Sequence, residues 1–505
     1  MSRDDASGNA AAGPIDATRL RRILAARESM LRVLGDIAGD VADSALVRCP
    51  YRTRDDVCTF RGECINAITA PGRRRLCGGG ALNPMPPPAA AVAAAMQATA
   101  LPVDTNRTGN AMNSRERMAA AMRLEEPDRV PVMCQLALGH YFLNTGLDAI
   151  EIWHDTAAFG DALIMLQQRY GFDGILINLP GRDPAWRSAI DRIEEVDGDR
   201  HVVWRNGWVT IAPPDDNPHV YQPDRATRWF PTFDEVEPEH LYYMEPHDIS
   251  AITYPYSWGF DAGPAPRDAF FPPWHYDTIR YVRERAPDVS VHGEVFSPFS
   301  QFMEMLDYVN GLMALIDDPV KVGACLDALT EGTIDLMRGQ ATAGADAILI
   351  SSAFAGAGLI SRDHYREFVL PYEKRAVDGF HEAFPGVPVY THTCGSIGDR
   401  LELLEATGTN GVDTLDPPPL GDVDLADAKH RIGGRLFIKG NMDPVNTVLM
   451  GTAADTLEDA RRRIAIGAPG GGYILSTACS VSPAAPPANI MQLRMAADAA
   501  DVYRR

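Results

Sequence analysis

The sequence predicts an α/β protein, a (β/α)8 TIM barrel carrying a small N-terminal helical, cysteine-rich extension. Three observations predict it. Eight short strand-like runs, most of them separated by helix-like segments, follow residue 113. Polar and metal-ligating side chains gather at the C-terminal ends of those runs, the face where such a barrel keeps its active site. A Pro- and Ala-rich stretch divides this region from a head holding half of the cysteines. The predicted organisation is therefore a helical, four-cysteine module over 1–82, a linker over 83–112 and the barrel over 113–505.

In the head, Leu20, Ile23, Leu24, Leu31, Leu34, Ile37 and Val41 recur at spacings of three, four and seven. They form one face of an amphipathic helix from Asp16 to about Leu46, with Asp16 or Thr18 as its cap. Cys49, Cys58, Cys64 and Cys77 follow, with 8, 5 and 12 residues between them. A segment this small, with few large apolar side chains, needs a staple, and zinc or an iron–sulfur cluster on these four thiolates would supply one. Free thiols are the competing reading, since the spacing contains no CxxC pair.

Beyond the linker a helix begins at Asn113, with Ser114 as the expected cap, and ends before Pro127. Strands are predicted over 130–136, 174–178, 289–295, 345–352, 387–394, 411–416, 435–441 and 472–479. Helices are predicted over 276–286, 319–341, 362–384, 399–407 and 453–465. Between the second and third strands runs a long excursion whose start, 201–211, reads as a hairpin around Asn206-Gly207. The rest of it, rich in Trp, Tyr and Pro, is expected to lie over the barrel mouth.

Charge and hydropathy narrow the function. The net charge is −21. Residues 1–77 hold 13 Arg against 10 Asp plus Glu, or +3, which leaves −24 for the remainder. That argues against nucleic acid as the main partner of the larger part. No apolar run approaches the ~18 residues of a membrane span, so no membrane association is expected. The N-terminus lacks the basic and apolar regions of a signal peptide, and a cytoplasmic location follows by default. Eight cysteines in that compartment read as ligands, nucleophiles or packed thiols rather than disulfides.

The run 387–394 ends in His392-x-Cys394. Residues i and i+2 of an extended chain point the same way, so an imidazole and a thiolate leave one strand end side by side. The run 472–479 also ends in a cysteine, Cys479, 85 residues after Cys394. Two ligands from one strand end and a third from a distant one describe a catalytic zinc site with one position open. Other strand-end residues are weaker candidates. Glu294 is either a fourth zinc ligand displaced by substrate or a partner in an ion pair inside the barrel. Asp416 and Asn441 are expected to hold the second nitrogen of His392. His140 and Tyr141, just after the first strand, are candidates for lining a cofactor pocket, with a packed histidine as the alternative. Asp443-Pro444 reads as a helix cap, and Cys134 and Cys325 as core thiols.

Several of these pieces occur together in a known family. They are Ser114-Arg-Glu-Arg-Met118 with Asp128-Arg-Val-Pro131, Phe296-Ser-Pro-Phe299, Thr391-His-Thr-Cys-Gly395, Lys439-Gly-Asn-Met-Asp-Pro444 with Gly451-Thr452, and Ser476-Thr-Ala-Cys479 followed by Pro486-Pro-Ala-Asn489. With them, the segment from Asn113 onward resembles the uroporphyrinogen decarboxylase superfamily. Within it, the chain is similar to the branch of zinc-dependent, corrinoid-linked methyltransferases that includes the methylcobamide:coenzyme M methyltransferases. The resemblance implies the barrel independently of the strand count, and it implies zinc at His392, Cys394 and Cys479. It also implies a corrinoid co-substrate and a small methyl donor or acceptor activated on the metal. The superfamily's decarboxylases carry an arginine-rich first strand and an aspartate near the second. Here 131–141 contains no arginine and 177–181 no carboxylate. No corrinoid-binding Asp-x-His-x-x-Gly segment is present, so the corrinoid is expected on a separate corrinoid-binding protein. An iron–sulfur cluster in the head would serve a redox partner. Two other readings stay open: a lyase that decarboxylates a carboxylate-bearing substrate, and a non-catalytic accessory protein handling corrinoid or metal.

Overall fold

A computed structural model describes residues 67–68, 76–77, 112–196, 198–214, 216–221, 231–244, 270–500 and 502–503. The chain divides into two compact units, Met1–Leu101 and Pro102–Arg505. In the first, strands β1 (Ala67–Ile68) and β2 (Leu76–Cys77) pair antiparallel. The expected head helix, Cys49, Cys58, Cys64, the side chain of Cys77 and residues 83–111 of the linker lie outside the described residues.

The second unit is an α/β fold around a curled parallel sheet of seven strands. In chain order these are β3 (Gly174–Ile177), β8 (Ser290–Phe296), β9 (Ala347–Ser351), β10 (Val389–Thr393), β11 (Gly411–Thr414), β12 (Phe437–Met442) and β13 (Tyr473–Thr477). Every pair of neighbours is parallel. Their apolar runs are buried on both faces, as a parallel sheet covered by helices requires. All C-terminal strand ends therefore share one edge.

The expected first strand, 130–136, is not a continuous strand. It makes isolated parallel bridges, Val132 with Leu475 and Leu136 with Val481. Four steps along one side face six along the other, so the excess is taken up between the bridges, after β13, as a bulge is. Pro131 also withholds a donor at the start of the run. On its other side Val132 O accepts from Asp173 N at 2.7 Å, so both edges of the sheet bind this one segment.

The helix Ser114–Met122 turns Met118, Ala121 and Met122 onto Met133, Leu176, Ala347, Leu349, Tyr390, Phe437 and Ile474 inside the curl. Its cap is Asn113 rather than Ser114. Asn113 accepts from Glu116 N at 2.8 Å and Glu116 answers at Asn113 N at 2.9 Å, a reciprocal pair that Glu116 offers only from the third helical position. Ser114 is drawn instead to Asp173 at 2.9 Å. Arg117 and Arg129 also converge on Asp173 at 2.7–2.8 Å, and Val132 N donates to it at 2.9 Å. The arginine-containing motifs at 114–118 and 128–131 thus form a clamp just before β3, at the end of the strands away from His392.

Between β3 and β8 stands an antiparallel sheet of β4 (Ile190–Val196), β5 (Asp199–Trp204), β6 (Val209–Ala212) and β7 (His219–Tyr221). The expected hairpin is β5–β6, and its turn uses Gly207 at φ 86°. The expected helix 362–384 is two, Arg362–Phe368 and Leu370–His381, because Pro371 starts the second. Among the described residues no helix is long and apolar enough to cross a membrane.

Replacing Asp173 by Ala removes the one carboxylate that the buried Arg117 and Arg129 share. We expect a loss of about 3–5 kcal/mol, read by urea unfolding. A loss under about 1 kcal/mol would show that the clamp does not hold the sheet edge.

Candidate metal centre

Along β10 the side chains alternate, and Tyr390 and His392 face the interior. Tyr390 belongs to the apolar floor, its ring 5.5 Å from that of Phe437 and its hydroxyl 2.9 Å from His292 Nδ1. His392 stands one step nearer the strand end, and Cys394 follows it past the end of β10. Gly395, at φ 77°, turns the chain there, and its N–H donates to Asp416 Oδ2 at 2.7 Å. Cys479 comes from the bulged stretch after β13, where Thr477 Oγ1 donates to Cys479 O at 2.6 Å.

The three expected ligands meet. Cys394 Sγ lies 3.3 Å from His392 Nε2 and 3.8 Å from Cys479 Sγ. The three donor atoms all fall within 4.8 Å of one another. Two sulfurs bound to a tetrahedral zinc ion lie about 3.8 Å apart, and a sulfur and a nitrogen about 3.5 Å. The donor set and its spacing therefore fit zinc.

The electrostatics make one of the two sulfurs ready to lose its proton. A hydrogen bond from Cys394 is the main cause that holds the Cys479 thiol well below its ordinary range, and it pushes Cys394 up. Burial pulls His392 down, but the charge of Cys394 and the bond to Asp413 outweigh it and raise its pKa.

The second nitrogen of His392 is held by residues other than those expected. Nδ1 donates toward Thr414 Oγ1 at 2.9 Å and Asp413 Oδ2 at 3.2 Å. Asp416 is engaged at Gly395 N instead. Asn441 donates to Leu415 O at 2.8 Å and accepts from Arg463 at 2.6 Å. The reason is register. Asp413 is the residue that pairs with His392 across β10 and β11, whereas Asp416 lies beyond the end of β11. The sequence does carry a signal for Asp413 and for its partner Lys439, because each is an ionisable residue inside an otherwise buried strand run.

Glu294 is not one of the three clustered donors. Burial raises its carboxyl to about 7, against the opposing influence of His392 and the Ser351 hydroxyl. Burial likewise raises Asp416 to about 6, opposed by the Gly395 N–H. His140 does not line an open pocket. It is buried, accepts from the Tyr170 hydroxyl at 2.7 Å and donates to Pro483 O at 3.0 Å, and burial lowers its pKa to about 4. Tyr141 is packed edge-on to Phe159 with centroids 6.0 Å apart. Asp443 caps a helical turn, accepting from Val445 N and Asn446 N at 2.8 Å each. Cys134 and Cys325 are buried free thiols.

Residues 262–500 match the family described as uroporphyrinogen decarboxylase (URO-D). This part of the chain is a domain of that family. The uroporphyrinogen decarboxylase of Alkalilimnicola ehrlichii is 31% identical over 220 residues, covering 42% of this chain and 58% of that protein. A protein named methylcobamide:CoM methyltransferase from Methanosarcina acetivorans is 27% identical over 221 residues, covering 43% of this chain and 60% of that protein. The chain thus spans under two thirds of the length of these two relatives. In fold it is similar to a methyltransferase from Methanosarcina mazei, with a TM-score of 0.53 and 19% identity over 77% of this chain and 98% of that one.

The lowered Cys479 pKa has a measurable consequence. An ordinary thiol loses about tenfold in thiolate for each pH unit below about 8.5. In the metal-free protein one cysteine should keep reacting with iodoacetamide nearly unchanged from pH 8 down to pH 6.5, and peptide mapping should place the label on Cys479. A rate that falls steadily across that window would contradict the thiol pairing.

Proposed function

We propose that this chain is a zinc-dependent methyltransferase of the URO-D superfamily. It moves a methyl group between a corrinoid, carried by a separate protein, and a small thiol or similar acceptor or donor. The observation that carries this reading is the convergence of His392 Nε2, Cys394 Sγ and Cys479 Sγ within 4.8 Å. We read the sheet as a (β/α)8 barrel closed by 130–136, with the centre in its mouth. The M. acetivorans relative's name supports the corrinoid, and with it a corrinoid-binding partner. We place the protein in the cytoplasm.

Two thiolates and a neutral imidazole balance a divalent charge. Zinc held by them would lower the pKa of a substrate thiol at the open position, so that it is a thiolate at neutral pH. The residues of the chain do the rest. Asp413 and Thr414 keep Nδ1 protonated and Nε2 free for the metal. The apolar floor of Met133, Tyr390 and Phe437 closes the site from below. Glu294, near enough to His392 to feel its charge and raised to about 7 by burial, would be the group to accept a proton that a substrate thiol loses. The four head cysteines remain candidates for a second metal, zinc or iron–sulfur, facing a redox partner.

A second reading, decarboxylation of a carboxylate-bearing substrate, is favoured by the names of the 31% identical relatives. The arginine-free first segment speaks against it, since many carboxylates need charged partners. One experiment separates the two. Purified protein is assayed for methyl transfer from methylcobalamin to a panel of small thiols, before and after metal removal. We expect transfer that a chelator abolishes and zinc restores, and that Cys394→Ala and Cys479→Ala each lose by at least about a hundredfold. Uroporphyrinogen decarboxylation indifferent to the chelator would establish the other reading.

A further inference from the structure

Below the three ligands lies a charged row that the proposed chemistry does not consume. Asp413 and Lys439 are each 2% exposed. Lys439 Nζ donates to Asp413 Oδ1 at 2.9 Å and to Oδ2 at 3.0 Å. Thr414 N donates to Oδ1 at 2.9 Å. That leaves Oδ2 facing His392 Nδ1 at 3.2 Å. Strand pairing sets the row, with His392 opposite Asp413 on β11 and Asp413 opposite Lys439 on β12.

We propose that Lys439 is a positioning residue for the metal centre. By holding both oxygens of Asp413, it keeps Oδ2 turned to His392 and so keeps Nε2 aimed at Cys394 and Cys479. The proposal rests on the metal reading above. Packing alone does not require the pair. The layer directly beneath is mostly apolar, its His292 and Tyr390 hydroxyl bonded to each other, and a buried ion pair is often replaceable by apolar side chains without loss of stability. The ammonium does not touch His392, so it acts only through the carboxylate. Without it, Thr414 N is, among the described residues, the one donor besides the imidazole itself that holds the carboxylate. The carboxylate is then held less firmly, and more of the imidazole's orientation falls to Thr414 Oγ1. Groups that orient a metal-bound imidazole in this way carry about 10–100-fold in metal affinity.

The test uses the full-length chain, stripped of metal, checked by circular dichroism and titrated with zinc against a colorimetric chelator. The uptake lost in a Cys394→Ala, Cys479→Ala double variant defines the site. We expect Lys439→Met and Asp413→Asn each to bind zinc there about 10–100-fold more weakly than the wild type. Lys439→Arg, which keeps a charged donor, should recover part of that loss. A merely structural pair would lower the melting temperature of the metal-free protein and leave zinc affinity unchanged. A folded Lys439→Met variant with wild-type affinity overturns the assignment. So does a loss confined to Asp413→Asn. Should Lys439→Met not fold, Lys439→Gln is read by the same titration and the same criterion. A wild-type chain that takes up no zinc at this site overturns the metal reading itself.

Discussion

Across β10, β11 and β12 the parallel register sets His392 opposite Asp413 and Asp413 opposite Lys439, so three ionisable side chains meet at one level of the interior. Neighbouring strands are about 4.8 Å apart, which is hydrogen-bonding reach for these side chains. The imidazole is thereby oriented before any ligand arrives. The second cysteine depends on the opposite circumstance, an irregularity. The four steps from 132 to 136 are matched by six from 475 to 481, and the surplus carries Cys479 out of the ladder and over Cys394. Regular pairing holds one side of the centre, and a bulge supplies the other.

Charge balance explains how such a group can be buried. Asp413 and Lys439 cancel each other, and two thiolates with a neutral imidazole cancel a divalent ion. The region would stay close to neutral with a divalent metal bound. Between the two thiols, their mutual hydrogen bond raises Cys394 and lowers Cys479. The clamp at Asp173 sits at the other end of the strands and holds together the segment through which both sheet edges are joined. Stability and chemistry are therefore lodged at opposite ends of the same sheet.

Much of this was legible in the residues. Seven of the expected runs are strands, because a strand buried on both faces is mostly apolar. His392 and Cys394 were readable as a pair from their i, i+2 spacing, and Cys479 from its place at the end of another run. What stayed hidden depends on register and on satisfied polar atoms. Asp413 and Asp416 occupy one run, and only the pairing with β10 shows which of them faces His392. His140 looks like any strand-end histidine until Tyr170 and Pro483 occupy its two nitrogens. The irregularity of 130–136 follows from a mismatch in length with a partner more than 300 residues away, which local patterning does not encode. The break before Pro371 was present in the sequence, and the longer helical periodicity masked it.

Zinc K-edge absorption spectroscopy tests the central claim most directly, on full-length protein in which Cys49, Cys58, Cys64 and Cys77 are replaced by Ser. The account predicts one zinc per chain with two sulfur neighbours at about 2.3 Å and nitrogen or oxygen neighbours at about 2.0–2.1 Å. A bound zinc with no sulfur in its first shell, or no zinc in folded protein supplied with it, would contradict the account.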